Sequence, residues 1–212
     1  MEQIELIIFD FDGVLRSASW EGVYHGYKKL IEAVGKNSEH FFTDLDSFKK
    51  WHDPDWHKNE SRILGGEYVP NKVLNEIFHT AHDPYSKLFP WVSETIDCLA
   101  KKYKLAILSS SARTSVKKEL CDLSRYFSFI VGGEEVTHLK PDPEGVLFIL
   151  KEINVFAENT IIIGDMEVDF LAGKRAGIKT GVVKWGMGDW NKLSSLKPDF
   201  LFEKPEELLL KL

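Results

Sequence analysis

The chain reads as an α/β protein: a parallel sheet with helices on both faces, and a small all-helical domain inserted after the first strand. Three observations in its 212 residues say so. Short, unbroken apolar runs rich in branched residues recur, as strands buried on both faces require. From residue 89 onward these runs alternate with segments of helical period. Residues 16–85 hold no such run and carry only helical spacing.

Ile4–Phe9 is the first strand, and it ends in Asp10-Phe11-Asp12-Gly13. In the insert, Val23, Tyr27, Leu30, Ile31 and Val34 give Glu21–Val34 a helical face, with Gly35 as its C-cap. Ser38 is placed to N-cap a second helix to Trp51. Asp53-Pro54 breaks the chain, and a third helical segment runs to Leu64. Pro70 opens a fourth, with Val73, Leu74, Ile77 and Phe78 on its apolar side. Tyr24, Phe41, Phe42, Trp51 and Trp56 make the insert aromatic, enough for a core of its own or a dimer contact. Pro90, near the N1 position, then opens a helix over Val92–Lys102. The remaining strands are Lys104–Leu108, Phe127–Val131, Thr160–Gly164, Thr180–Lys184 and Asp199–Phe202. Helices fall at Thr114–Leu123, Glu144–Ile153, Glu167–Ala176 (closed by Gly177) and, opened by Pro205, Glu206–Leu212. The domains are thus 1–15 with 86–212 for the sheet, and 16–85 for the helical insert.

Composition narrows the function. A hydrophobic fraction of 43% and a charged fraction of 28% fit a water-soluble globular protein. A net charge of -6 argues against nucleic acid or an anionic membrane as partner, and leaves room for a small anionic ligand. Cys98 and Cys121 match no metal spacing and no C-x-x-C pattern, so they read as reduced thiols of a cytoplasmic protein. No run approaches a membrane span, and the N-terminus enters the first strand without a signal-peptide pattern.

The chemistry collects at one end of the sheet. Residues two apart on an extended chain point the same way, so the Asp10 and Asp12 carboxylates share one small volume. Their repulsion calls for a divalent cation or a shared proton. Ligand sites in open α/β sheets lie outside the carboxyl ends of the strands. Ser109-Ser110-Ser111 follow the second strand, Lys140 follows the third, and Asp165 and Asp169 follow the fourth.

In that order these segments resemble the four motifs of the haloacid dehalogenase superfamily. Asp10-Phe11-Asp12-Gly13-Val14 matches the first and Ser109 the second. Lys140 in Lys-Pro-Asp-Pro matches the third, and Gly164-Asp165-Met166-Glu167-Val168-Asp169 the fourth. The insert sits where phosphoglycolate phosphatase-like members carry a helical cap, and Val182–Gly186 resembles a segment common in that branch. The resemblance implies a Rossmann-like three-layer sandwich and a Mg²⁺-dependent phosphatase for a small phosphorylated metabolite, working as a monomer or homodimer. It implies Asp10 as nucleophile, forming a phospho-aspartate, and Asp12 as general acid/base. Ser109, the Ser110 amide and Lys140 would hold the phosphoryl group. Mg²⁺ would take Asp10, the Asp12 carbonyl and Asp165, with Asp169 as a direct or outer ligand. A phosphomutase similar to β-phosphoglucomutase and a pyrophosphatase share these residues and stay open as alternatives. A true dehalogenase lacks the second aspartate, so Asp12 argues against it.

Other candidates carry less. His52 and His57 are five apart across a proline, and His79 and His82 are three apart with no third ligand, so neither pair reads as a metal site. Arg16, just past the first motif, reads as a contact for an anionic substrate group or as a solvated charge.

Overall fold

A computed structural model describes residues 3–53 and 56–212. Strand β1 (Leu6–Phe9) is followed by helices α1 (Trp20–Ala33), α2 (Leu45–Trp51), α3 (Trp56–Leu64) and α4 (Asn71–His82). Then come α5 (Val92–Ala100), β2 (Lys104–Leu108), α6 (Arg113–Leu120), β3 (Phe129–Val131) and α7 (Glu144–Ile153). The chain closes with β4 (Thr160–Gly164), α8 (Glu167–Ala176), β5 (Lys179–Val183), α9 (Trp190–Ser195), β6 (Phe200–Phe202) and α10 (Glu207–Lys211). It divides into two compact units: residues through Ser17 with Leu88–Leu212, and Ala18–Lys87.

In the first unit all six strands form one parallel sheet in the order β3-β2-β1-β4-β5-β6. The four residues of β1 are fully buried, and their alternation sorts them between two layers. Ile7 and Phe9 pack with Val92, Ile96 and Leu99 of α5, Val116 and Leu120 of α6, and Leu208 of α10. Leu6 and Ile8 pack with Val146 and Ile149 of α7 and Ala172 of α8. Each such side chain stabilises the fold by about 1.5–3 kcal/mol on burial. Succeeding strands run outward from β1 to one side and from β4 to the other, so the strand order reverses between them. The crevice at such a reversal is where open α/β sheets take ligands, and Asp10 stands there.

The second unit, Ala18–Lys87, is helical. Its core joins Tyr27, Leu30 and Ile31 of α1 to Phe42, Phe48, Ile63 and Leu74. Aromatic edges meet faces within it, as for Phe42 and Phe48 at 4.9 Å and 72°. Asn59 is fully buried and satisfied: its amide donates to Tyr27 Oη (3.0 Å) and the Asp53 carbonyl (2.7 Å), and accepts from Asp53 N (2.9 Å). Ser19 caps α1 by accepting from Gly22 N, and Gly35, at φ +77°, turns the chain past its end.

Several local expectations need correction. Ser38 opens only a 3₁₀ turn, Ser38–His40, and α2 starts at Leu45. Asp44 caps α2 instead, in a reciprocal box with Ser47, which satisfies two orphan N–H groups where a lone serine satisfies one. Val73 is 42% exposed, so the apolar face of α4 is narrower than its spacing suggests. Trp91 occupies the N-cap position of α5, which puts Pro90 outside the helix. The helix expected to end at Leu123 stops at Leu120, where Cys121 takes φ +48° and a 3₁₀ turn begins. Helix α9 was not expected. Both cysteines are free, and Cys121 is exposed. No helix of the described residues is long and apolar enough to cross a membrane.

Candidate active site

Asp10 leaves β1 still held by the sheet, its N–H donating to the Ile163 carbonyl on β4 (2.9 Å). The chain then turns tightly, with the N–H groups of Val14, Leu15 and Arg16 all donating to the Phe11 carbonyl. Gly13 in this turn has φ +86°, and a Cβ there would overlap the Asp165 carboxylate. Two demands, backbone conformation and close approach, therefore fix glycine at this position.

Lys140 is the hub. It is 6% exposed and its ammonium meets Asp10 Oδ1 (2.8 Å), Asp169 Oδ1 (2.6 Å) and the Leu108 carbonyl (3.2 Å). Its loop is braced from α7: Glu144 accepts from the Thr137 and His138 N–H groups, and Asp142 accepts from Glu144 N. Asp169 sits in the first turn of α8, where its second oxygen accepts from Met166 N (3.0 Å). Both of its oxygens are thus engaged. Asp165 is fully buried; its Oδ2 accepts from Met187 N (2.7 Å), while Oδ1 has no hydrogen-bond partner among the described residues. Ligand oxygens of Asp10, Asp165 and Asp169 lie within 4.8 Å of one another.

The electrostatics follow from burial. It pushes the Asp10 carboxyl up to about 7 against the pull of Lys140, with Asp169 adding to the rise. Burial, then Asp10 and Asp169, hold Asp165 well above the usual carboxylate range. Burial alone would lower the Lys140 ammonium, but Asp10 and Asp169 outweigh it and hold its pKa above the ordinary value. Three buried carboxylates face one buried ammonium. That oxygen-only set, with one orphaned carboxylate oxygen, suits a hard divalent cation.

Asp12 is bound otherwise. Its Oδ1 accepts from Arg16 Nε (2.7 Å) and meets Arg16 Nη2 (2.5 Å), and its Oδ2 accepts from the Ser111 hydroxyl (2.7 Å). Arg16 is 2% exposed and lies over the Phe11 ring, so it is neither solvated nor on the surface. Ser109, buried at the end of β2, accepts on Oγ from Ser111 N (3.0 Å), which leaves its own proton to donate. Ser110 is exposed, and Gly133 presses against its carbonyl, with 2.5 Å left for a Cβ. The structure therefore gathers Asp10, Lys140, Asp165 and Asp169 into one cluster, with Asp12 turned to Arg16 and Ser111. The sequence shows neither the bonds of Ser111 and Arg16 to Asp12 nor that of the Met187 amide to Asp165.

The histidine pairs are not brought into any cluster among the described residues. His52 packs edge-on against Trp20 and Tyr27, and His57 lies on Trp56; Pro54 and Asp55 between them lie outside the described residues. His82 is buried against Phe78 and Ser86; the side chain of His79 lies outside the described residues. Trp51 and Trp56 are partly buried.

Comparison with known proteins agrees with this architecture. The family model of haloacid dehalogenase-like hydrolases matches residues 7–183. The chain is 30% identical over 223 residues to a phosphoglycolate phosphatase of Aquifex aeolicus, covering 97% of this chain and 95% of the relative. It is 34% identical over 221 residues to the pyrophosphatase PpaX of Oceanobacillus iheyensis, with coverage of 97% and 95%. A haloacid dehalogenase-like family hydrolase from Streptococcus pneumoniae superposes with a TM-score of 0.73 at 22% identity, over 100% of this chain and 99% of that one, which shows the shared fold. The chain belongs to the haloacid dehalogenase-like hydrolases.

Proposed function

We propose that the protein is a Mg²⁺-dependent phosphatase that hydrolyses a small phosphorylated metabolite through a phospho-aspartate on Asp10. The observation that carries this reading is the Lys140 ammonium seated between Asp10 and Asp169, beside the orphaned oxygen of Asp165. In this reading Asp10 attacks phosphorus; a carboxylate attacks unprotonated and needs no base in the first step. Lys140 fixes which Asp10 oxygen points away from its own ammonium and offsets charge on the phosphoryl group. The Ser109 hydroxyl and the Ser110 amide donate to its non-bridging oxygens. Asp12 protonates the leaving oxygen, then takes a proton from the attacking water. Asp10, the Asp12 carbonyl and Asp165 would hold Mg²⁺, which supplies charge to bring two anions together. Asp169, with both oxygens engaged, serves as the anchor of Lys140 and an outer partner of the metal. The helical unit takes the part of the cap in this reading, and substrate choice rests with it.

Two classes of relative bear on the substrate. The curated relatives named above hydrolyse a phosphomonoester or pyrophosphate by their names. A Thermotoga maritima protein provisionally named β-phosphoglucomutase, 26% identical over 97% of each chain at a TM-score of 0.69, keeps the mutase as a second reading. The test is phosphate release from phosphoglycolate, pyrophosphate, sugar phosphates and nucleotides, with Mg²⁺ and with EDTA. Release from one or a few compounds, abolished by EDTA, is the expected outcome. Turnover only with a bisphosphate activator would favour the mutase. Equal release with EDTA would sink the metal role.

A further inference from the structure

We infer that the loop after β5, Lys184-Trp185-Gly186-Met187-Gly188, positions Asp165, that Trp185 anchors this loop, and that the property it sets is Mg²⁺ affinity. The inference rests on the metal reading above. No motif of the sequence assigns this loop a part in the site.

Three features enclose Asp165. The Met187 N–H donates to Oδ2 at 2.7 Å, so one carboxylate oxygen is fixed and the other, Oδ1, is the one left to coordinate. A Cβ at Gly186 would overlap the Asp165 side chain, and one at Gly188 would overlap its backbone carbonyl. Neither glycine has a positive φ, so smallness rather than conformational freedom is what these positions use. Gly13 presses on the same carboxylate from the loop after β1.

Trp185 ties those two loops together. Its indole Nε1–H donates to the Val14 carbonyl at 3.1 Å, a partner 171 residues away in sequence. Its ring meets Trp91 edge-on at 5.6 Å and 79°, and Trp91 in turn stacks on Phe89 at 5.8 Å. The loop that carries the Met187 amide is therefore fastened to the loop that carries Asp10 and Asp12. A carboxylate oriented before the cation arrives needs less ordering on binding, which raises affinity. Removing an outer-shell partner of a ligand costs roughly 10–100-fold in metal affinity. Trp185 acts one step further out, through Met187, so its loss is expected at the lower end.

The test is calorimetric titration of Mg²⁺ into the full chain, into Trp185→Phe and into Gly186→Ala, with thermal melting alongside. Trp185→Phe keeps an aromatic ring against Trp91 and loses the N–H. Its Mg²⁺ Kd should rise about three- to tenfold, while the melting temperature stays within a few degrees. Turnover at saturating Mg²⁺ should be kept while the Mg²⁺ concentration for half-activity rises in step with Kd, a split that a merely structural loop would not produce. Gly186→Ala should lose binding by more than tenfold; if it fails to fold, Trp185→Phe decides. Wild-type binding with an unchanged Kd in Trp185→Phe would overturn the inference alone. No Mg²⁺ binding by the wild type would overturn the metal reading and the inference with it.

Discussion

A buried amide of the helical unit and the buried carboxylates of the sheet unit are handled in opposite ways. In the helical unit, buried Asn59 has both ends of its amide bonded, to Tyr27 and to the Asp53 backbone, and the result is a fixed joint between α1 and α3. In the sheet unit, Asp10 and Asp169 share a single buried ammonium, and the neighbouring Asp165 has its Oδ1 orphaned among the described residues. Buried polar groups ordinarily find partners, because an unpaired one costs about 1–3 kcal/mol. A buried amide bonded at both ends, like that of Asn59, holds shape. A unit that leaves surplus negative charge at its sheet crevice is holding it for something else, and that contrast is what separates scaffold from site.

The comparison can be broken most sharply at Asp10. Asp10→Asn should lower turnover by about a thousandfold or more, as loss of a nucleophile does. Its melting temperature should be equal or higher, because one buried surplus charge is gone. Near-normal turnover would remove Asp10 as nucleophile. Lys140→Met should do the reverse for stability. It leaves Asp10 and Asp169 without their counter-charge, at a cost of about 3–5 kcal/mol, read by urea unfolding, and turnover should fall as well. A Lys140→Met protein as stable as wild type would mean that the cluster does not need its ammonium.

The helical unit should respond to packing and not to charge. Phe48→Ala removes a fully buried ring of its core and should cost about 3–4 kcal/mol. His52 then gives a pH signature. Burial beside Trp20, Tyr27 and Phe48 holds its pKa down at about 4, with Asp53 opposing. Above pH 6.5 the imidazole is neutral folded and unfolded, so it contributes no pH dependence. Between pH 6.5 and 4 the unfolded chain takes up a proton that the folded one refuses. Stability is therefore lost as pH falls through that window, by about 2–3 kcal/mol. Urea midpoints at pH 7.5 and 4.5 check this against His52→Phe, which should lose less on acidification. Equal losses in both proteins would mean that His52 is already protonated in the fold.

The sequence was most legible where one physical pattern ruled a whole element. Strands β2 and β4 and helices α7 and α8 lie where their apolar runs and periodicity place them, because burial of both faces of a strand, and of one face of a helix, leaves no competing solution. The motif residues at strand ends were legible for the same reason: a strand boundary fixes which end of the sheet they reach. Helix α9 was not, since its six residues are too few for a period and its signal is only Asp189 accepting from Asn191 and Lys192 N–H groups. Nor were the partners of Asp12 and Asp165. Ser111 is 99 positions from Asp12, and Met187 reaches Asp165 with a backbone amide that no residue type announces. Arg16, four residues past Asp12 in a tight turn, was within reach of local reasoning; its burial was not.

The central claim is a covalent phosphoryl group on Asp10. The direct measurement is to quench the enzyme with acid during turnover of its best substrate, reduce with borohydride, and map the peptides by mass. Borohydride converts an aspartyl phosphate to homoserine. The account predicts homoserine at position 10, dependent on both substrate and Mg²⁺ and absent from Asp10→Asn. Homoserine at another aspartate, or none at position 10 while phosphate is still released, would contradict it.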